Sequence, residues 1–168
     1  MKILNTIIMA SIISNTALSQ NKKTISVETA IEAPASLVWE IISNNEQWSD
    51  WNPFITESKG LIKEGEKLKN KLLMDGKEYT FKPKVVEFKE GQSFSWKGQF
   101  LFPGIFDGFH SFFVIPVDDN RSKLIQSEIF SGLLSRMFMK KGKESTSRNF
   151  EAMNNAVKSL AEESAKEK

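Results

Sequence analysis

Phe150-Glu151-Ala152-Met153-Asn154-Asn155-Ala156-Val157-Lys158-Ser159-Leu160-Ala161 decides the reading of this chain. Phe150, Met153, Val157, Leu160 and Ala161 recur at spacings of three and four, which is the stripe of an amphipathic helix. The stripe fades toward the N-terminus. One and two turns before Phe150 stand Thr146 and Lys143, with Gly142 beside them. Small and polar residues there leave space beneath the helix, although an irregular helix start at Gly142 accounts for the pattern equally well. Leu133, Leu134, Met137 and Phe138 form an earlier apolar patch at the helix start or in the turn before it.

Upstream of the helix the period changes to two. Alternation bounded by turn residues predicts strands over residues 54–58, 67–74, 77–88, 92–97, 109–117 and 123–130. Asp75-Gly76 is a favoured tight hairpin turn, and Glu90-Gly91 and Asp118-Asp119-Asn120 turn the chain again. Residues 98–108 read as irregular and apolar. Residues 24–30 form an earlier strand, with Ile25, Val27 and Thr29 on one face. Leu37, Val38, Ile41 and Ile42 predict a first helix after Pro34, whose missing N–H is tolerated in a first turn. Residues 46–51 predict a second short helix, stopped at Asn52 because Pro53 disfavours the α region there. Consecutive hairpins make a bent sheet whose inner face needs a cover, and only the C-terminal helix is long enough. The expected fold is α+β: a helix-grip, in which a curved antiparallel sheet wraps around a long C-terminal helix.

Before residue 24 the pattern differs. Lys2 is the only charge ahead of Lys22, residues 3–18 are apolar or small and polar, and Ala17-Leu18-Ser19 offers small residues two apart. Residues 1–19 therefore read as a secretory signal peptide, with a secreted or periplasmic location expected. A membrane anchor is the lesser alternative, since Asn5, Ser11, Ser14, Asn15 and Thr16 interrupt the run and a spanning helix wants about 20 apolar residues. The rest is one domain, residues 24–162, followed by a solvated tail at 163–168.

The 23 basic and 21 acidic side chains nearly balance, so no bulk charge steers the chain to nucleic acid. There is no cysteine and one histidine, which removes disulfides, thiolate nucleophiles and zinc sites. No phosphate-cradling glycine loop or nucleophile elbow is present. No cofactor or metal is expected. Packing must hold the domain, and thirteen Phe and four Trp supply large areas to bury.

Several segments resemble the SRPBCC superfamily, the START-like fold, and in particular its polyketide cyclase/dehydrase-type members. They are Ile31-Glu32-Ala33-Pro34-Ala35-Ser36-Leu37-Val38-Trp39, Trp48-Ser49-Asp50-Trp51-Asn52-Pro53-Phe54-Ile55, Gly108-Phe109-His110-Ser111-Phe112, and Gln126-Ser127-Glu128-Ile129-Phe130-Ser131-Gly132. The likeness spans about residues 24 to 162. It implies a ligand held between the concave face of the sheet and the C-terminal helix. Members of the superfamily bind lipids, sterols, polyketides and plant hormones, and some catalyse cyclisation or dehydration.

His110, Phe112 and Val114 share one strand face, and Leu124, Gln126, Glu128 and Phe130 share a face of its neighbour. A simple turn around Asp119-Asn120 puts Phe112 near Glu128, leaving His110 and Glu128 as diagonal neighbours about 7 Å apart at the backbone. Three roles are open for that pair: a structural hydrogen bond between strands, ligand contact, or general acid–base catalysis. Trp48 and Trp51 share a helix face and either wall the pocket mouth or plug the helix onto the sheet. Phe81, Phe94 and Trp96 are core or pocket lining. Phe102 and Phe106 belong to an apolar stretch, residues 100–106, that reads as a lip over the cavity, a transient membrane contact or a core plug. The expected partner is an apolar small molecule, bound by a carrier or sensor. Alternatives are a cofactor-free cyclase or dehydratase using His110 and Glu128, and a protein-interaction module using the 100–106 loop.

Overall fold

In the computed structural model, which describes residues 23–74, 76–100 and 104–167, β1 (Thr24–Ile31) leads into α1 (Ala35–Ser43). The Pro34 carbonyl accepts the first helical N–H groups, from Leu37 at 3.1 Å and Val38 at 3.4 Å. Leu37, Val38, Trp39 and Ile42 form its buried face. A 3-10 turn at Asn45–Gln47 then feeds α2 (Trp48–Trp51). Asn52 ends it: its Oδ1 accepts the N–H groups of Phe54 (3.0 Å) and Ile55 (2.9 Å), folding the chain around Pro53.

Seven strands follow: β2 (Ile55–Lys59), β3 (Lys69–Met74), β4 (Lys77–Phe81), β5 (Lys84–Lys89), β6 (Ser93–Phe100), β7 (Phe106–Asp118) and β8 (Arg121–Ser131). They form two antiparallel sheets, one of five strands in the order β1-β8-β7-β6-β5 and one of three in the order β2-β3-β4. Residues 65–68 run against residues 83–85 and join the two, through Gly65 N–H to Val85 O, Val85 N–H to Glu66 O and Leu68 N–H to Pro83 O, each 2.9 Å. α3 (Ser135–Lys166) lies across β1, β8 and α1.

α3 buries Phe150, Met153, Asn154, Val157 and Ala161. The core beneath it contains Ile31, Ile42, Trp48, Phe94, Phe112 and Leu124. Its centre is aromatic: Trp48 packs on Trp96 (ring centroids 6.0 Å) and Phe112 (6.2 Å), and Phe94 stacks on Phe112 at 4.6 Å. Such pairs contribute about 0.5–1.5 kcal/mol each beyond the area they bury. Gly132 makes the entry to α3 possible. Its φ is +92°, and a β-carbon there would press on the carbonyl oxygens of Ile105 (2.7 Å) and Gly104 (2.8 Å).

The helix-grip architecture is as expected, and four details differ. The strand expected over 77–88 is two strands, broken at Lys82-Pro83, because Pro83 has no N–H to continue a ladder. Residues 98–108 are less irregular than their composition indicates: β6 and β7 pair through Gly98↔Gly108, Gln99↔Asp107 and Phe100↔Phe106. Gly142 lies within the continuous α3, which also runs to Lys166, so residues 163–166 of the expected tail are helical. Finally, the β7–β8 register puts Phe112 opposite Gln126, not Glu128. A tight turn pairs Asp118 with Arg121, whose Nε and Nη2 both donate to Asp118 Oδ2 (2.8 and 2.7 Å), and an irregularity between Pro116 and Asp118 resets the ladder. The expected signal peptide, residues 1–19, lies outside the described residues.

Candidate functional site

A cavity of about 230 Å³ lies between the two sheets and α3. Phe54, Ile55, Asn70, Leu72 and Phe81 line it from the side of the smaller sheet. Trp96, Phe106, His110, Phe112, Glu128 and Phe130 line it from β6, β7 and β8, and Phe138, Thr146, Asn149, Phe150 and Met153 from α3. Three roomier clefts, of about 510, 460 and 480 Å³, open on the outer surface, but charged surface side chains such as Glu46 and Lys63, Glu162 and Lys166, or Glu40 and Glu167 border them. Of these four spaces among the described residues, the aromatic cavity combines an apolar wall with a few polar groups, as a small-molecule site requires.

β7 and β8 place His110 directly opposite Glu128. His110 Nδ1 is 3.0 Å from Glu128 Oε2, and both side chains are mostly buried (8% and 14% exposed). The His110 ring also stacks on Phe112, centroids 4.4 Å apart, and meets Phe150 at 4.6 Å. Its Nε2 lies 3.2 Å from Gln126 Oε1. Gln126 Nε2 donates to Asn154 Oδ1 (2.6 Å), and Asn154 Nδ2 donates to Thr29 Oγ1 (3.1 Å) and the Leu124 carbonyl (3.5 Å). A buried polar chain therefore runs from β1 through α3 to the cavity wall. In this arrangement both imidazole nitrogens face oxygens, Glu128 Oε2 and Gln126 Oε1. The Leu124 carbonyl only accepts, so it fixes the sense of the Asn154 amide and, through it, that of Gln126, whose Oε1 faces His110.

A second polar chain reaches the cavity from the smaller sheet. Asn45 Nδ2 donates to Ser58 Oγ (2.8 Å) and to the Gly60 carbonyl (3.1 Å), and Ser58 Oγ donates to Asn70 Oδ1 (2.8 Å). Asn70 Nδ2 is buried and has no partner among the described residues. Trp48 Nε1 is likewise buried without an acceptor among the described residues, in the aromatic core behind the cavity-lining Trp96 and Phe112.

The carboxyls held below their usual range lie elsewhere: Glu57 through its bond to Lys59, Asp118 through Arg121 and Glu162 through Lys158. No cluster of metal-ligating side chains occurs among the described residues.

The family described as polyketide cyclase/dehydrase and lipid transport matches residues 22–162. The chain belongs to this family. The fold of this polyketide cyclase/dehydrase relative is shared with a START superfamily protein from Mycobacterium smegmatis: TM-score 0.68, 18% identity, 83% of this chain and 97% of the other. The aromatase/cyclase Zhui from a Streptomyces species gives 0.65 and 18%, over 83% and 93% of the two chains. A norcoclaurine synthase from Thalictrum flavum gives 0.66 and 18%, over 84% and 94%. No curated protein matches the chain.

Within this member of the SRPBCC superfamily, Phe81, Trp96, Phe106, His110, Phe112, Glu128 and Phe130 border the cavity. Trp48, Trp51 and Phe94 do not: Trp48 and Phe94 are in the core, and Trp51 packs against it. Gln126 stands one bond behind His110 instead of on the wall. Phe102 lies outside the described residues. Phe106 stacks on Phe130 (5.3 Å, 11° between planes) and touches Phe138. Asn70, Asn154 and Thr29 were not singled out in the sequence. Asn70 continues the Leu68–Leu72 face of its strand, and Asn154 lies one turn beyond Phe150 on the helix stripe, so a polar residue at an inward position was the available signal.

Proposed function

We propose that this chain binds a small apolar molecule in the cavity between its sheets and α3, as a carrier or sensor. The observation that carries this reading is the cavity itself, an aromatic-walled space with few polar groups, among them the paired His110 and Glu128. Its volume equals about eight water molecules at ~30 Å³ each. That size suits a compact ring compound better than a whole sterol or a two-chain lipid. Native mass spectrometry of the protein purified from its own host, followed by solvent extraction, tests the reading. A stoichiometric apolar adduct is expected, and a clean unliganded mass would overturn tight carriage.

A cofactor-free cyclase or dehydratase is the second reading, favoured by the His110–Glu128 pair on the cavity wall. The two separate on His110→Gln. An enzyme loses turnover and keeps binding, whereas a carrier has no turnover to lose. Export to the periplasm or beyond belongs to the same proposal and rests on the composition of residues 1–19 alone.

A further inference from the structure

The amide of Asn70 has one end held and one end free. Asn45 Nδ2 reaches both Ser58 Oγ and the Gly60 carbonyl, and because a main-chain carbonyl only accepts, the Asn45 amide has a fixed sense. Ser58, accepting from Asn45, still has its own proton to give, and Asn70 Oδ1 at 2.8 Å is the acceptor it reaches. That leaves Nδ2 as the unengaged end of Asn70. The residue is 1% exposed, borders the cavity, and its Nδ2 has no partner among the described residues. The Asn45–Ser58–Asn70 chain ties the 3-10 turn to β2 and β3, which accounts for Oδ1 and not for Nδ2. Buried N–H groups are normally satisfied, so this orphan, on a residue that borders the cavity, is a donor with no protein partner among the described residues.

Charge narrows the class of ligand. Among the described residues that line the cavity there is no Lys or Arg, and the two ionisable side chains, His110 and Glu128, face each other at 3.0 Å. A carboxylate brought into this space would find no free cation and would lose its hydration. We propose that the cavity takes an uncharged ligand with an apolar ring body and a carbonyl oxygen, and that Asn70 Nδ2–H donates to that oxygen. The proposal rests on the ligand-binding reading above and adds the polarity and charge of the ligand.

Three probes of one shape test it: acetylnaphthalene, the hydrocarbon isopropenylnaphthalene, and naphthoate. Each is titrated calorimetrically into the full chain while heteronuclear NMR follows the Asn70 side-chain amide. The ketone is expected to bind at least about tenfold more tightly than the hydrocarbon, because the hydrocarbon leaves the donor unpaired. Naphthoate is expected to bind most weakly, and only the ketone moves the Asn70 amide signals downfield. Asn70→Leu removes the preference for ketone over hydrocarbon. If that variant does not fold, the ratio in the unaltered chain and the amide signal decide alone. Equal binding of ketone and hydrocarbon, or a preference that survives in Asn70→Leu, overturns the role of Asn70. Naphthoate binding as tightly as the ketone overturns the requirement for an uncharged ligand. If no probe binds, the ligand-binding reading falls and this inference falls with it.

Discussion

Gly108 is the floor on which the Glu128 carboxylate rests: a β-carbon on Gly108 would overlap Glu128 Oε1, while Oε2 lies 3.0 Å from His110 Nδ1. The position of the carboxylate over the cavity therefore depends on a missing side chain as much as on its hydrogen bond.

Gly108→Ala should drive Glu128 off His110 and leave a buried polar group unpaired. The expected loss is about 1–3 kcal/mol in urea denaturation. A loss below about 0.5 kcal/mol would mean that the carboxylate finds an equivalent place.

The relay Gln126–Asn154 ties α3 to the sheet below it by an amide pair at 2.6 Å, both residues fully buried. Asn154→Leu strands the Gln126 amide and should cost about 1–3 kcal/mol, as should Gln126→Leu. The double variant removes both partners and should cost less than the two single losses together, with a coupling of at least about 0.5 kcal/mol. Strict additivity would show that the amides act independently.

Phe81 crosses from β4 to lie over Gly98 on β6, where a β-carbon would overlap its ring. Gly98→Ala should expel Phe81 from the cavity wall and cost about 1–3 kcal/mol by overpacking. Combining it with Phe81→Leu should recover part of that loss. Thermal melts of the four proteins check the cycle, and no recovery would place the strain elsewhere.

Glu162 accepts from Lys158 and from the Glu32 N–H (2.9 Å), joining the end of α3 to the β1–α1 junction. The Lys158 bond, then the Glu32 N–H, hold its carboxyl below the usual range. A lowered carboxyl contributes stability that is present above its unfolded value and is lost as pH falls through the folded one. The unaltered chain should therefore exceed Glu162→Gln by a few tenths to about 1 kcal/mol at neutral pH. The difference should disappear as pH falls below the usual carboxylate range and through the lowered value of Glu162. A difference independent of pH would rule out the ionic part.

The helix stripe at Phe150, Met153, Val157 and Ala161 and the alternation around Phe94 and Trp96 were legible because periodicity is local and records which face is buried. The vacancy beneath α3 was legible in part, at Thr146, which borders the cavity. His110 and Glu128 were legible as neighbours but not as directly opposed residues, because the irregularity between Pro116 and Asp118 sets the register of the whole hairpin and has no signature in the residues it shifts. Trp48 reads the same from sequence whether it walls a pocket or fills a core, since both need a large apolar side chain at that helix position. Asn70 and Asn154 carry their meaning only through partners far along the chain, Asn45 through Ser58 and Thr29 directly.

The junction of residues 65–68 with residues 83–85 has a mechanical consequence. Besides side-chain packing, those few main-chain bonds fasten the three-stranded sheet to the five-stranded one. A molecule in the cavity would touch Phe54, Leu72 and Phe81 on one side and His110, Phe130 and Phe150 on the other. It would act as an added rivet across the two plates. Occupancy should then be written in the amide exchange of β2–β4: empty, the small plate opens ahead of the rest; filled, it yields only when the whole chain does.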